Sequence, residues 1–194
     1  MRQLIYAIPV ALGLLTAPAA ASAQEFMFEP YAGAGVGGFL LNDGNGSNFV
    51  FGGYGEIGAK LAQYMAIEGR FGTAGSKTKY DAVVGANVKN QVDWFASYLF
   101  KPQVILARGL RFYGLLGATT LKSSITATGS TKVSKTNTDF SYGVGMEYSP
   151  NDDNLYVGAE WMRYASSESH ATLTTTTYSG MNMQGYVATL RYAF

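Results

Sequence analysis

The 194-residue chain has no cysteine and one histidine. Without cysteine there is no disulfide framework, no thiolate nucleophile and no cysteine-ligated metal. Charge is scarce as well: Asp, Glu, Lys and Arg make up 14% of the chain, where an ordinary soluble domain carries roughly 25%. A surface covered mostly by solvated charge is therefore excluded. Lys plus Arg (14) nearly balance Asp plus Glu (13), which excludes a nucleic-acid binder that works by bulk electrostatics. Beyond the N-terminus no stretch reaches the ~18 consecutive apolar residues of a membrane helix. What the chain has in quantity is glycine (24), tyrosine (14) and phenylalanine (11). Its length suits one domain, enough for a buried core or one closed barrel.

The first segment reads as an address. Arg2 supplies a positive start, residues 4–15 form an apolar run, and small residues lead to Ala21-Ser22-Ala23. These are the charged, hydrophobic and Ala-x-Ala parts of a secretory signal. The run is too short for a ~20-residue span, and Pro9 and Pro18 interrupt it. The expected organisation is a cleaved signal peptide over 1–23 and one domain over 24–194.

That domain reads as all-β. Helix signals are nearly absent, and period-2 alternation between Gly- and Asn-rich breaks runs from end to end. Eight strands are predicted at about 27–41, 49–61, 64–74, 91–101, 111–123, 138–148, 155–166 and 182–194. Long polar connections (42–48, 75–90, 124–137, 167–181) alternate with shorter ones (62–63, 102–110, 149–154), the pattern of an outer-membrane barrel. Parity sharpens this. Phe194, Tyr192, Leu190, Ala188 and Tyr186 share one face, and Arg191, Thr189 and Gly185 the other. Phe140, Tyr142, Val144, Met146 and Tyr148 likewise oppose Asp139, Ser141 and Glu147. One face is nearly free of charge, with Arg163 the exception that belongs at the outer rim or beside a bulge.

A soluble barrel would turn the apolar face inward. Two patterns favour the reverse. Phe28, Phe100, Phe112, Tyr148, Tyr192 and Phe194 fall toward the short-turn ends, whereas Phe49, Phe51, Phe71, Trp94, Phe140, Trp161 and Tyr186 fall toward the long-loop ends. Two aromatic belts around an aliphatic band fit two membrane interfaces. The other face, rich in glycine and charge, would make a poor dry core. In lipid the sheet must close so that every backbone group is paired. The expected fold is an eight-stranded antiparallel up-and-down transmembrane β-barrel, narrow enough for side chains to fill. The inward charges are Lys60, Arg70, Lys101, Arg111 and Arg191 against Glu29, Glu56, Glu68, Asp93, Asp139, Glu147 and Glu160. Their near balance predicts a salt-bridged interior in place of an open channel.

Tyr31-Ala-Gly-Ala-Gly-Val-Gly-Gly38, Met65-Ala-Ile-Glu-Gly-Arg-Phe-Gly72 and Ser141-Tyr-Gly-Val-Gly-Met-Glu-Tyr148 resemble the small bacterial outer-membrane barrels of the OmpA-transmembrane-domain and OmpX type. The ending Tyr186-Val-Ala-Thr-Leu-Arg-Tyr-Ala-Phe194 resembles the C-terminal signal that the outer-membrane insertion machinery reads in that family, through Tyr186, Leu190, Tyr192 and Phe194. The resemblance implies an outer-membrane location, passage past periplasmic chaperones, and contact with lipid and lipopolysaccharide; with the sequence ending at Phe194, no peptidoglycan-binding domain is expected to follow, unlike in full-length OmpA-type proteins. It implies little about function, since such barrels differ mainly in their loops.

Three motifs invite sharper readings. Gly33, Gly35 and Gly38 satisfy G-x-G-x-x-G, but they lie within a predicted strand with no helix after it, so no dinucleotide site is expected. His170, in Ser166-Ser-Glu-Ser-His170, is the only imidazole available for a serine hydrolase-like lipid-modifying enzyme; a polar loop presets no such geometry, and a solvated loop histidine is expected. Lys77, Lys79, Lys89, Lys122, Lys132 and Lys135 against Asp43, Asp81 and Glu168 give the loops a mild positive bias that suits lipopolysaccharide phosphates or plain solvation. The Ser/Thr-rich runs 123–138 and 172–179 suit strands extended beyond the membrane, whose open edge would bind partners by strand addition. The expectation is a non-enzymatic outer-membrane barrel with an envelope-integrity or surface-interaction role, without cofactor, metal or nucleic acid, its extracellular partner unspecified. The alternatives are a narrow ion-conducting porin and a lipid-A-modifying enzyme.

Overall fold

The computed structural model describes residues 28–42, 47–81, 86–107, 109–127, 132–150, 154–166, 171–173, 176–178 and 182–194. The expected signal peptide, its cleavage site, Asp43, Glu168 and His170 lie outside them. The main-chain strands are β1 (Glu29–Asn42), β2 (Ser47–Ala62), β3 (Met65–Asp81), β4 (Ala86–Ala107), β5 (Leu110–Ala127), β6 (Val133–Tyr148) and β7 (Leu155–Ser166). Two three-residue strands, β8 (Ala171–Leu173) and β9 (Thr176–Tyr178), form a separate hairpin, and β10 (Asn182–Ala193) ends the chain. Seven of these and β10 close an antiparallel barrel in the order β1-β10-β7-β6-β5-β4-β3-β2. Closure is made by β1 and β10, paired from Tyr31↔Ala193 to Asn42↔Asn182. At the short-turn end the Phe194 N–H donates to the Pro30 carbonyl at 3.0 Å and the Ala193 N–H to the Asn154 carbonyl at 2.8 Å. No sheet edge is left inside the membrane, as a lipid environment demands.

The structure corrects the expected connection at 102–110. β4 continues through Pro102 to Ala107, and the reversal falls at Gly109, whose φ is +76°. A Cβ there would press on the Ser149 carbonyl, so glycine is suited to the turn for both backbone and space. Pro102 is tolerated because the β4–β5 ladder skips Lys101 and Pro102, passing from Phe100↔Leu116 to Gln103↔Tyr113. The missing N–H therefore costs no rung there.

At the other end β3–β6 run further than the alternation of apolar residues suggests. The β2–β3 ladder stops at Gly52↔Ala74 and the β6–β7 ladder at Tyr142↔Arg163. Yet β3, β4, β5 and β6 continue pairing to Asp81↔Ala86, Val88↔Ala127 and Ile125↔Val133. Much of the polar runs 75–90 and 124–137 is thus strand, forming a four-stranded sheet above the barrel in which Thr and Ser suit strands without an apolar face. The extension expected of 123–138 is present, whereas β8 and β9 form a hairpin apart from that sheet. Thr120 and Thr138 link β5 and β6 by a 2.9 Å hydroxyl bond. Register shifts around Thr73–Gly75 and at Asp93 mark where barrel becomes protruding sheet, a bending role typical of bulges.

The wall faces outward with its apolar side. Phe51, Ile57, Phe71, Tyr98, Phe140, Val144 and Phe194 are all exposed, and Phe51 keeps 77% of its surface. Aromatic pairs cluster at the long-loop end (Phe49 with Phe51, Phe71 with Trp94, Phe140 with Tyr142, Tyr142 with Trp161) and again at the short-turn end (Tyr192 with Phe194). Phe140 and Tyr148 bound the outward apolar face of the barrel part of β6. At ~3.3 Å per residue and a tilt near 40° their separation is about 20 Å, close to the ~25 Å apolar band of membrane barrels.

Candidate functional site

The interior is filled in layers. Nearest the short turns, Lys60 pairs with Glu29 at 2.8 Å, and the Arg111 guanidinium lies over the Tyr156 ring and donates to its hydroxyl at 2.9 Å. Above this sits an ionic layer. Arg70 holds Glu160 in a fork, Nη1 to Oε1 at 2.5 Å and Nη2 to Oε2 at 2.9 Å, and its Nε reaches Glu68 at 2.5 Å. Arg191 donates from Nε to Glu56 and from Nη1 to Glu147 at 2.5 Å. Lys101 donates to Glu147 at 2.9 Å. Tyrosine hydroxyls complete the set: Tyr31 to Glu68 at 2.7 Å, and Tyr54 and Tyr113 to Glu160 at 2.6 and 3.1 Å. Lys101 also lies 4.0 Å from the centre of the Tyr113 ring.

Four carboxylates thus meet Arg70, Arg191 and Lys101, with Arg111 at the edge 3.7 Å from Glu147. Burying ions costs several kcal/mol each unless their remaining sites are filled, and here the aromatic hydroxyls supply the extra donors. Glycine makes the space. A Cβ on Gly33 would come within 2.8 Å of Glu56 Oε1 and 2.9 Å of Arg191 Cγ; one on Gly35 would lie 2.5 Å from Tyr54 Cζ. Gly33 and Gly35 of the G-x-G-x-x-G spacing thus serve interior packing, whereas Gly38 lies on the outer face, where a Cβ would meet the Phe49 ring.

Toward the long loops the interior turns apolar. Phe39, Phe95, Tyr164, Leu115 and Met162 are fully buried and pack with Leu99, Val187 and Met183. Phe95 and Tyr164 stand 5.0 Å apart, with Phe39 beside both. Beside this layer a hydroxyl chain runs from Ser97 through Thr119 to Ser141, which donates to the Tyr164 carbonyl at 2.7 Å. Alternation alone signals Tyr31, Tyr54, Tyr113, Phe39 and Phe95 as inward, yet reading the inner face as charge and glycine passes over them.

Glu56, Glu68, Arg70, Glu147, Glu160 and Arg191 come together in the ionic layer, with Arg111 at its margin and Lys60 below it. Asp93 does not join them. As the extra residue of a bulge it accepts bonds from Ser124 and from the half-exposed Lys132, each at 3.0 Å, at the base of the protruding sheet. Asp139 accepts from Asn137 at 2.9 Å. Tyr186, Leu190, Tyr192 and Phe194 line the outward face of the last strand. Arg163 stands on the outer wall between Tyr142 and Gln184. Among the described residues no group of acids and histidine is placed to hold a metal ion.

A closed antiparallel barrel with apolar side chains outward and buried ions inward defines a β-barrel membrane protein. The chain belongs to the family described as outer membrane protein beta-barrel domain, whose model matches residues 8–194; its place is the bacterial outer membrane. No curated protein matches the sequence. Solved structures share the fold. Neisserial surface protein A aligns with TM-score 0.64 at 12% identity, over 85% of this chain and 97% of that one. OprG of Pseudomonas aeruginosa gives 0.59 at 8%, over 86% and 96%. Ail, the attachment invasion locus protein of Yersinia pestis, in complex with the heparin analogue sucrose octasulfate, gives 0.58 at 15%, over 86% and 99%.

Proposed function

We propose that this protein is a non-enzymatic surface-interaction barrel whose protruding β3–β6 sheet docks extracellular partners by strand addition. The observation that carries this reading is the unpaired edge. Beyond Ala74 on β3 and before Tyr142 on β6, no described strand is hydrogen-bonded to the outer side of either one, although β8 passes near β6. Exposed backbone edges are templates for an added strand. Lys89 on this sheet is exposed, which adds attraction for acidic partners; the attachment role in Ail's name and its sulfated ligand agree with that direction. The filled interior speaks against a pore, and steady single-channel conductance in a planar bilayer would revive the porin reading.

Residues 1–23 act in this scheme as a cleaved export signal, and Tyr186, Leu190, Tyr192 and Phe194 as the segment read by the insertion machinery after delivery by periplasmic chaperones. The test replaces residues 77–90 and 124–134 by short turns. Bacteria expressing either form are then scored for adherence to cultured-cell monolayers and heparin-coated wells. Loss of adherence with an intact heat-modifiable barrel is expected; unchanged adherence refutes the role.

A further inference from the structure

Arg163 is the one cation that alternation sends to the lipid-facing side of β7, between buried Met162 and Tyr164. It sits two residues beyond Trp161 toward the long-loop end, within the outer aromatic belt formed with Phe140, Tyr142 and Tyr186. Among the described residues no carboxylate lies within ion-pair distance of its guanidinium. One Nη1 contact reaches the Tyr142 hydroxyl at 3.4 Å, and Nε is buried with no hydrogen-bond acceptor among the described residues. Directly opposite it across the two ladders are Tyr142 and Gln184, both at outward positions. Guanidinium, phenol and carboxamide therefore share one level of the outer wall with an unfilled demand for an anionic acceptor.

A charge on the lipid face is tolerated near an interface and not at midplane, and a planar guanidinium matches phosphate oxygens as a fork. The level is that of the outer-leaflet headgroups, because the long loops mark the outer side. We propose that Arg163, flanked by Tyr142 and Gln184, is a binding site for a phosphate group of the outer-leaflet glycolipid lipid A. The site rests on the outer-membrane reading with the long loops outside, and is independent of what the protruding sheet binds.

The test uses the full-length mature barrel refolded in neutral alkyl-maltoside micelles. A Trp94→Phe background leaves Trp161, which touches Tyr142, as the sole indole reporter. Bisphosphorylated lipid A, lipid A stripped of phosphate, and phosphatidylglycerol are titrated separately. The expected result is about tenfold tighter binding of phosphorylated lipid A than of the stripped form, the size of a charged hydrogen bond. Arg163→Leu should abolish that preference and Arg163→Lys keep part of it. Leucine at a lipid-facing position leaves the barrel foldable, which the mobility shift between boiled and unboiled samples verifies. No preference for phosphate, or a preference that survives Arg163→Leu, overturns the site. Equal affinity for phosphatidylglycerol overturns its assignment to lipid A. A missing mobility shift in the unsubstituted protein would instead sink the barrel reading itself.

Discussion

Arg191→Met is the most severe single change the ionic layer offers. The guanidinium is 3% exposed and touches Glu56, Glu147 at 2.5 Å, Glu160 at 3.5 Å and Glu68 at 3.7 Å. Its loss leaves those four carboxylates with Arg70 and Lys101 as their buried cations. Breaking a buried pair from one side costs about 3–5 kcal/mol, because the partner stays buried and uncompensated. With a urea slope near 2 kcal/mol per molar, the unfolding midpoint should fall by roughly 2 M. Glu56→Gln perturbs the same contact from the other side. It keeps an acceptor for Arg191 and leaves three carboxylates to three cations, so its cost should stay within about 1 kcal/mol. Urea titration of both variants in lipid vesicles, followed by tryptophan emission, tests the inequality. An unchanged midpoint for Arg191→Met, or equal losses for the two, would refute the view that surplus negative charge is what the layer resists.

Two tyrosines separate a satisfied hydroxyl from an idle one. The Tyr164 hydroxyl is buried without a hydrogen bond of good geometry among the described residues, so Tyr164→Phe should leave the urea midpoint unchanged or raise it, while Tyr54→Phe, which strips Glu160 of a 2.6 Å donor, should cost about 1–3 kcal/mol. Deleting Phe194 should lower the amount of barrel recovered in outer-membrane fractions but not its refolding in detergent; loss of refolding would show a structural role instead. In planar bilayers the protein should give no steady conductance, and regular openings would contradict a filled interior.

Strand existence and facing were legible because period two sends Tyr186, Leu190 and Phe194 to one side and Arg191 to the other, whatever the surroundings. Strand length was legible only in part: Thr between 123 and 138 favours strands beyond the membrane, as β5 and β6 show, but without apolar alternation neither the extent of that pairing nor the matching extension of β3 and β4 is marked. Pro102 misled for a similar reason: a proline marks a break unless the ladder already omits its rung. Within the interior, parity names the inward residues but not their heights. Glu56 and Arg191 are 135 residues apart, and only the stagger of β1, β2 and β10 brings them level. Asp93 is outside the ionic layer because it lies eight residues along β4 from Lys101, at the bulge where the protruding sheet begins.

That stagger suggests what the buried charges do for folding. Registers such as Gly33↔Arg191 and Gly33↔Glu56 are fixed, yet an outward face of Ala, Val, Leu and aromatic residues would be nearly as content after a slip of two residues. A slip of one residue in β10 turns Arg191 into lipid, at about 2–4 kcal/mol near midplane, and leaves Glu56 buried and unpaired at about 3–5 kcal/mol more. A two-residue slip keeps the faces but moves Arg191 away from both Glu56 and Glu147. The hypothesis is that the ionic layer selects one register, with net stability a lesser effect. Replacing Arg191, Glu56, Glu147 and Lys101, the buried cation that Glu147 holds, together by methionine should then leave the barrel stable but heterogeneous, with multiple amide resonances per site in its NMR spectrum. A single sharp set of resonances would refute this, since apolar packing alone would then suffice to fix the alignment.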